Sequence, residues 1–267
     1  MSRVALGNRV LPAASWGRSA REKLSPATCH DLRSYRAPSS ELKVGLYSFV
    51  PKIRTDSAKS AESCVSWPSR ECRAVFLYYG LLLTLLWLVA YAGPCWVTSL
   101  HPYRVQLATK LDLAMPFFPS MVVLYLSLFP MIWIAPFVLQ TPQRLRSFAK
   151  ALALLFVLSG LGFLLIPSDE VRSPVHVDGI FRPVFQFADL INMSHNNLPC
   201  LHVGMAVVCA RFYSQGKPST AKAFVWVWAM AIASSTLLTH QHYLADVVAG
   251  AALALLIPGA PSTRSPR

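Results

Sequence analysis

The residues best suited to chemistry lie between Ser235 and Gly250, which read Ser-Thr-Leu-Leu-Thr-His-Gln-His-Tyr-Leu-Ala-Asp-Val-Val-Ala-Gly. On a helix His242 and Asp246 sit at i and i+4 and share a face, so the carboxylate can hold one imidazole nitrogen while the other points outward. Such a mounting suits a histidine that attacks as a nucleophile or moves a proton. Asp246 is followed by Val-Val-Ala-Gly-Ala-Ala-Leu-Ala-Leu-Leu-Ile, a run with no other charge. An ionisable residue entering an apolar helix is a functional-site candidate by default. A purely structural use, capping a helix at a membrane surface, accounts for the pair taken alone. The second histidine region counts against that use.

This second region reads Asn-Met-Ser-His-Asn-Asn-Leu-Pro-Cys-Leu-His-Val-Gly, ending at Gly204. Pro199 suits the first turn of a helix and so puts His202 near a helix beginning, where free backbone N–H groups and the positive dipole end attract an anion such as phosphate. Further upstream, Arg182 supplies a planar, permanent cation able to grip phosphate oxygens through two parallel hydrogen bonds. For His240 a solvated loop position and a phosphate contact stand as equal readings. His176 and His195 are weaker candidates, and Asp189 suits the surface of a helix better than the role of a base. Gly160 and Gly162 suit close helix packing.

Elements that could position these groups follow from composition. Of 267 residues 54% are hydrophobic and 14% charged, and the mean hydropathy is +0.43. This is the profile of a polytopic membrane protein, an all-α bundle in lipid. Apolar runs long enough for the hydrocarbon layer, which needs about 20 residues, suggest six spans at about 74–96, 117–139, 148–166, 198–213, 222–239 and 241–258. Pro119, Pro130 and Pro136 are expected to kink the second. Residues 1–73, polar and rich in Ser, Arg and Pro, read as a largely disordered tail, and 259–267 as a short C-terminal one. The leader lacks the apolar stretch of a cleavable signal, and its six acidic residues count against a transit peptide. A start assigned too far upstream is equally compatible.

The net charge of +13 does not point to nucleic acid, because the basic residues sit in the tail and in short connections between apolar runs rather than interleaved with aromatics. Arg144, Arg146, Lys150, Arg211, Lys217, Lys222, Arg264 and Arg267 fall on the side of both termini. Arg104, Lys110, Arg172 and Arg182 fall on the other. This bias predicts cytoplasmic termini and puts both histidine regions at the opposite face, towards the periplasm, exterior or lumen.

Arg182-Pro183, Pro199-Cys200-Leu201-His202, and Ser235-Thr236 followed by His242 and Asp246 together resemble the three-part signature of the type 2 phosphatidic acid phosphatase (PAP2) superfamily. The phrases around His202 and His242 are similar in particular to the branch containing inositol phosphorylceramide synthases and related lipid phosphotransferases. That resemblance implies a six-helix membrane bundle of PAP2 type over 74–258. It also implies that His242 attacks phosphorus to give a phosphohistidine, Asp246 orients its ring, His202 protonates the leaving oxygen and Arg182 binds non-bridging oxygens, with no metal or other cofactor. Membrane lipids would be the partners: a phospholipid donor and a lipid or polyol acceptor.

Three positions depart from the pattern. Val175 stands where the family has a lysine, Cys200 where it has a serine, and Thr236 where it has an arginine. Losing two cations disfavours a near-dianionic phosphate monoester and favours a singly charged phosphodiester, provided that His240, His195 or the amides of Asn196 and Asn197 fill the vacated donor positions. Headgroup transfer is therefore the leading expectation. A lipid phosphate or isoprenoid diphosphate phosphatase and a non-catalytic relative are the alternatives. A histidine-metal protein is disfavoured, since no HxxxH array is present and the six cysteines show neither CxxC pairs nor metal-ligand spacing. Free, mostly buried thiols are expected, with Cys200 a packed small residue or a weak donor.

Overall fold

The computed structural model describes residues 66–100, 102–168, 177–192 and 196–259. The expected tail lies outside these residues except for its last few, as does the C-terminal tail beyond 259. Among the described residues the architecture is all-helical: α1 (Arg70–Ser99), α2 (Lys110–Ala114), α3 (Val122–Leu126), α4 (Leu128–Trp133), α5 (Ala135–Leu139), α6 (Pro142–Leu165), α7 (Arg182–Ile191), α8 (Leu201–Tyr213), α9 (Ser219–Leu238) and α10 (Leu244–Leu256). Three of them, α1, α6 and α9, are long and apolar enough to cross a membrane. Shorter apolar helical stretches, Pro119–Trp133, Leu201–Tyr213 and Leu244–Leu256, occupy the other expected span positions.

At the centre stands α8. Apart from the half-buried Arg211, every residue it contains is buried, as expected of a helix that is apolar on all sides. It packs against α9, α10, α6, α4 and α5, whereas α1 packs mainly on α6 and turns large apolar side chains such as Leu77 and Val89 outward. The C-terminal end of α8 is pinned by charge-assisted bonds to backbone carbonyls: Arg144 Nη2 donates to Phe212 O at 3.0 Å, and Arg211 Nη1 donates to Ile257 O at 2.7 Å and also to Ala254 O. Tyr213 adds a bond to Met131 O at 2.7 Å.

The second expected span is not one kinked helix but a 3-10 turn followed by three short helices, with breaks at Ser127 and Ile134. Prolines explain the break, because each removes a backbone donor and crowds the carbonyl four residues before it. Ser127 is then free to accept the indole N–H of Trp228 from α9, at 2.9 Å. Beyond the expected spans lies α7, a strongly amphipathic helix that buries Phe185 and Ala188 against α3.

Candidate active site

Two junctions build the site. In the first, Cys200 is the N-cap of α8 and His202 its second helical residue. Pro199 therefore precedes the cap instead of opening the helix as expected, while His202 keeps its predicted place in the first turn, where backbone N–H groups lack helical partners. The amide of Cys200 donates to Asp246 O at 3.0 Å, tying the head of α8 to the first turn of α10. The backbones approach so closely that a Cβ on Gly250 would stand 2.3 Å from the Cys200 carbonyl oxygen. Gly162 of α6 makes room in the same way for the ring of Pro199, whose Cδ would lie 2.7 Å from an added Cβ.

The second junction corrects an expectation. His242 does not share a helix with Asp246; it lies in the turn before α10, one residue ahead of the N-cap Tyr243. The turn is folded back on α9, with the amides of Gln241 and His242 both donating to Thr236 O, at 3.0 and 3.2 Å. His240 takes a left-handed conformation to allow it, at φ 57°. Asp246, third in α10, accepts the Tyr243 amide at 2.8 Å, and the same Oδ2 faces His242 Nδ1 at 3.5 Å. That is ion-pair distance without the alignment of a hydrogen bond. Asp246 is 0% exposed, His242 6% and His202 9%. The other carboxylate oxygen, Oδ1, has no hydrogen-bond partner among the described residues. With little water to screen it, the carboxylate can stabilise positive charge developing on the ring.

Both expected imidazoles meet here. The rings of His202 and His242 face each other with centroids 5.9 Å apart and planes inclined by 56°. They line one cavity of about 570 Å³, with walls that are mostly apolar side chains of α1, α4, α6, α7 and α8, among them Trp87, Phe156 and Met205.

A chain of hydrogen bonds fixes His202. It begins at Asp189 on α7, whose carboxylate can only accept, so the bond from Gln241 Nε2 at 2.9 Å sets the Gln241 amide. Gln241 Oε1 then accepts from Asn192 Nδ2, and Asn192 Oδ1 accepts the Tyr125 hydroxyl at 2.9 Å. Tyr125 has spent its one proton, so its oxygen accepts from His202 Nδ1, 3.3 Å away. Neutral His202 is thereby the Nδ1–H tautomer with a lone pair on Nε2. Once protonated, it has an Nε2 proton to give.

The remaining expected site residues are placed differently. Arg182 opens α7 and is exposed, and its guanidinium makes no hydrogen bond or ion pair among the described residues. The end of α7 that reaches the site is the opposite one, Asp189 and Asn192, about 10 and 15 Å further along the axis at 1.5 Å per residue. His240 packs its ring on Phe117 and sets Nε2 at 3.2 Å from Met115 O. Asn197 and Asn196 are buried just before α8, and Asn196 Nδ2 donates to Tyr91 O. Thr236, where the family pattern has arginine, is 0% exposed, and its hydroxyl donates back to Ala233 O at 2.8 Å. Val175, His176 and His195 lie outside the described residues.

Sequence reasoning missed Tyr125, Asn192, Gln241 and Asp112. The last is buried on α2, accepts the Thr109 amide at 2.8 Å, and reaches across to accept the Leu244 amide at 2.7 Å, capping α10 from another element. Thr109-Lys-Leu-Asp112 carries a capping-box spacing that was readable in the sequence. The two amides had no such signal.

Apolar helices that hold two facing imidazoles, one backed by a buried carboxylate, beside an apolar cavity define a helical protein equipped for nucleophilic and acid-base chemistry next to an apolar ligand. The family model of the PAP2 superfamily matches residues 104–260, more than half of the chain, and the chain belongs to that superfamily. Its members are generally phosphatases and phosphotransferases, so membership points to chemistry on a phosphate-bearing substrate. With three helices of membrane-crossing length and apolarity, it also points to a membrane protein. No curated protein gives a match.

Proposed function

We propose that this chain is a lipid phosphotransferase that moves a phospho-headgroup through a phosphohistidine at His242. The observation that carries the reading is the His202–His242 pair, facing across 5.9 Å with Asp246 at 3.5 Å behind the second ring. Nε2 of His242 attacks the phosphorus of a phosphodiester. The bond to the leaving oxygen breaks, and that oxygen takes the Nε2 proton of His202. In the second half the acceptor hydroxyl attacks phosphorus, returns a proton to His202 Nε2 and frees His242. Asp246 steadies the positive ring of the intermediate, and the chain through Tyr125 presents His202 in the required tautomer.

A singly charged diester fits a chain that carries Thr236 and Val175 where the family pattern has two cations, while an acyl chain suits the apolar walls of the cavity. Arg182 keeps the role of gripping phosphoryl oxygens, and Asn197 that of an amide donor beside the head of α8. His240 is left as a second donor for the phosphate only if it gives up Met115. The same reading takes six crossings, with cytoplasmic termini and the site at the far face.

The test is incubation of purified protein with a mixed lipid pool, followed by mass detection of headgroups gained and lost, for wild type and His242→Ala. Transfer to a hydroxyl acceptor that vanishes in the variant supports the proposal. Transfer to water alone identifies a phosphatase instead, and no turnover by wild type identifies a non-catalytic relative.

A further inference from the structure

We infer that Cys200, His202 and His242 form a binding site for a borderline-soft divalent ion of the Zn²⁺ class, and that this ion and the phosphoryl group compete for one place. The cysteine spacing gives no hint of it, because the third ligand arrives from another junction. Folding brings the Cys200 sulfur and one nitrogen from each histidine within 4.8 Å of one another. Ligand atoms bonded at about 2.0–2.3 Å around a tetrahedral ion stand about 3.3–3.8 Å apart, so the widest pair closes by about 1 Å.

Three observations beyond this cluster point to an ion. Each ring has a polar group behind Nδ1, Tyr125 Oη in hydrogen-bond contact with His202 at 3.3 Å and Asp246 Oδ2 at ion-pair distance from His242 at 3.5 Å, an arrangement that suits ligation through Nε2. A carboxylate or other polar group behind each ligating imidazole is the usual outer shell of a metal site. The charge also closes: on binding, the thiol gives its proton to solvent, and the thiolate plus the buried Asp246 carboxylate offset the two positive charges of the ion in apolar surroundings. Three protein ligands leave a fourth tetrahedral position open, and two of them, His202 and His242, line the cavity. The chemistry of the set, one sulfur and two imidazoles, selects Zn²⁺ over Mg²⁺ or Ca²⁺.

The competition rests on the proposed function, since a ligated His242 has no lone pair for phosphorus and a ligated His202 holds no proton for the leaving group. The site itself does not. The test titrates the full chain in lipid nanodiscs with Co²⁺ and then Zn²⁺. Wild type is expected to bind one equivalent of Co²⁺ with a thiolate-to-cobalt charge-transfer band that Zn²⁺ bleaches, and Cys200→Ser to lose the band and weaken Zn²⁺ binding about tenfold or more. In the unaltered chain, Zn²⁺ should protect Cys200 from alkylation and His202 and His242 from diethylpyrocarbonate, as read by peptide mass. No band, binding unchanged in Cys200→Ser, or no protection overturns the site. Binding with full protection but undiminished turnover leaves the site standing and overturns the competition, and with it the phosphohistidine at His242.

Discussion

Asp246 serves two ends with one oxygen, since Oδ2 both accepts the Tyr243 amide that starts α10 and faces the ring of His242. Asp246→Asn separates them. Its amide oxygen can still accept the backbone N–H, so the helix start survives, but the negative charge behind the ring is gone. Turnover is expected to fall on the order of 10³–10⁴-fold with the thermal midpoint nearly unchanged; a stable variant with full turnover contradicts the role. His202 is testable through the leaving group. His202→Gln should slow first-turnover release of an alkoxide leaving group about 10²–10⁴-fold, the span of general-acid effects, and should hardly slow the first-turnover burst of nitrophenolate from a nitrophenyl diester, which departs without a proton. Tyr125→Phe should follow the same pattern more weakly, by up to about tenfold, the worth of one hydrogen bond. Equal slowing of both donors in either variant would show a packing defect instead.

Among the helices, the meeting of α8 with α10 sets the distance between His202 and His242. Gly250→Ala pushes a methyl into the Cys200 backbone, a position no rotamer change relieves. It is expected to cost about 1–3 kcal/mol and to part His202 from His242, lowering both the denaturation midpoint in nanodiscs and turnover. Gly80→Ala is the control, with nothing within 4 Å of the added methyl; in a helix interior it should be neutral or stabilising by up to about 1 kcal/mol. Equal behaviour of the two variants would contradict the contact. The apolar runs made α1, α6 and α9 legible, because burial in lipid or core demands long stretches without charge. The second span was not, since three prolines leave helix, kink and break equally open until neighbours such as Trp228 decide. Reading His242 and Asp246 as one helix face failed for a definable reason. Asp246 is a third-position cap, so the helix begins after His242, and the turn that folds the Gln241 and His242 amides onto Thr236 O holds the ring beside the carboxylate instead.

For the whole molecule, the histidines and the family pattern were legible as a set of residue types in order, while the polar chain from Asp189 to His202 needed coordinates, being drawn from four separate stretches of chain. Charge bias adds a prediction at this scale: tags at the two termini should be cleaved by protease from the same face of sealed vesicles, and a reagent confined to the other face should modify the 239–243 turn. Termini on opposite faces would contradict the six-crossing arrangement. The central claim is that phosphorus passes through one imidazole. It is tested most directly by rapid quench of the enzyme with a ³²P-labelled phosphodiester donor in the absence of acceptor, followed by peptide mapping under alkaline conditions that preserve phosphohistidine. The label is expected on the peptide carrying His242, absent in His242→Ala and accumulating in wild type until an acceptor alcohol discharges it. Turnover with no labelled histidine, or label on any other residue, would contradict the account.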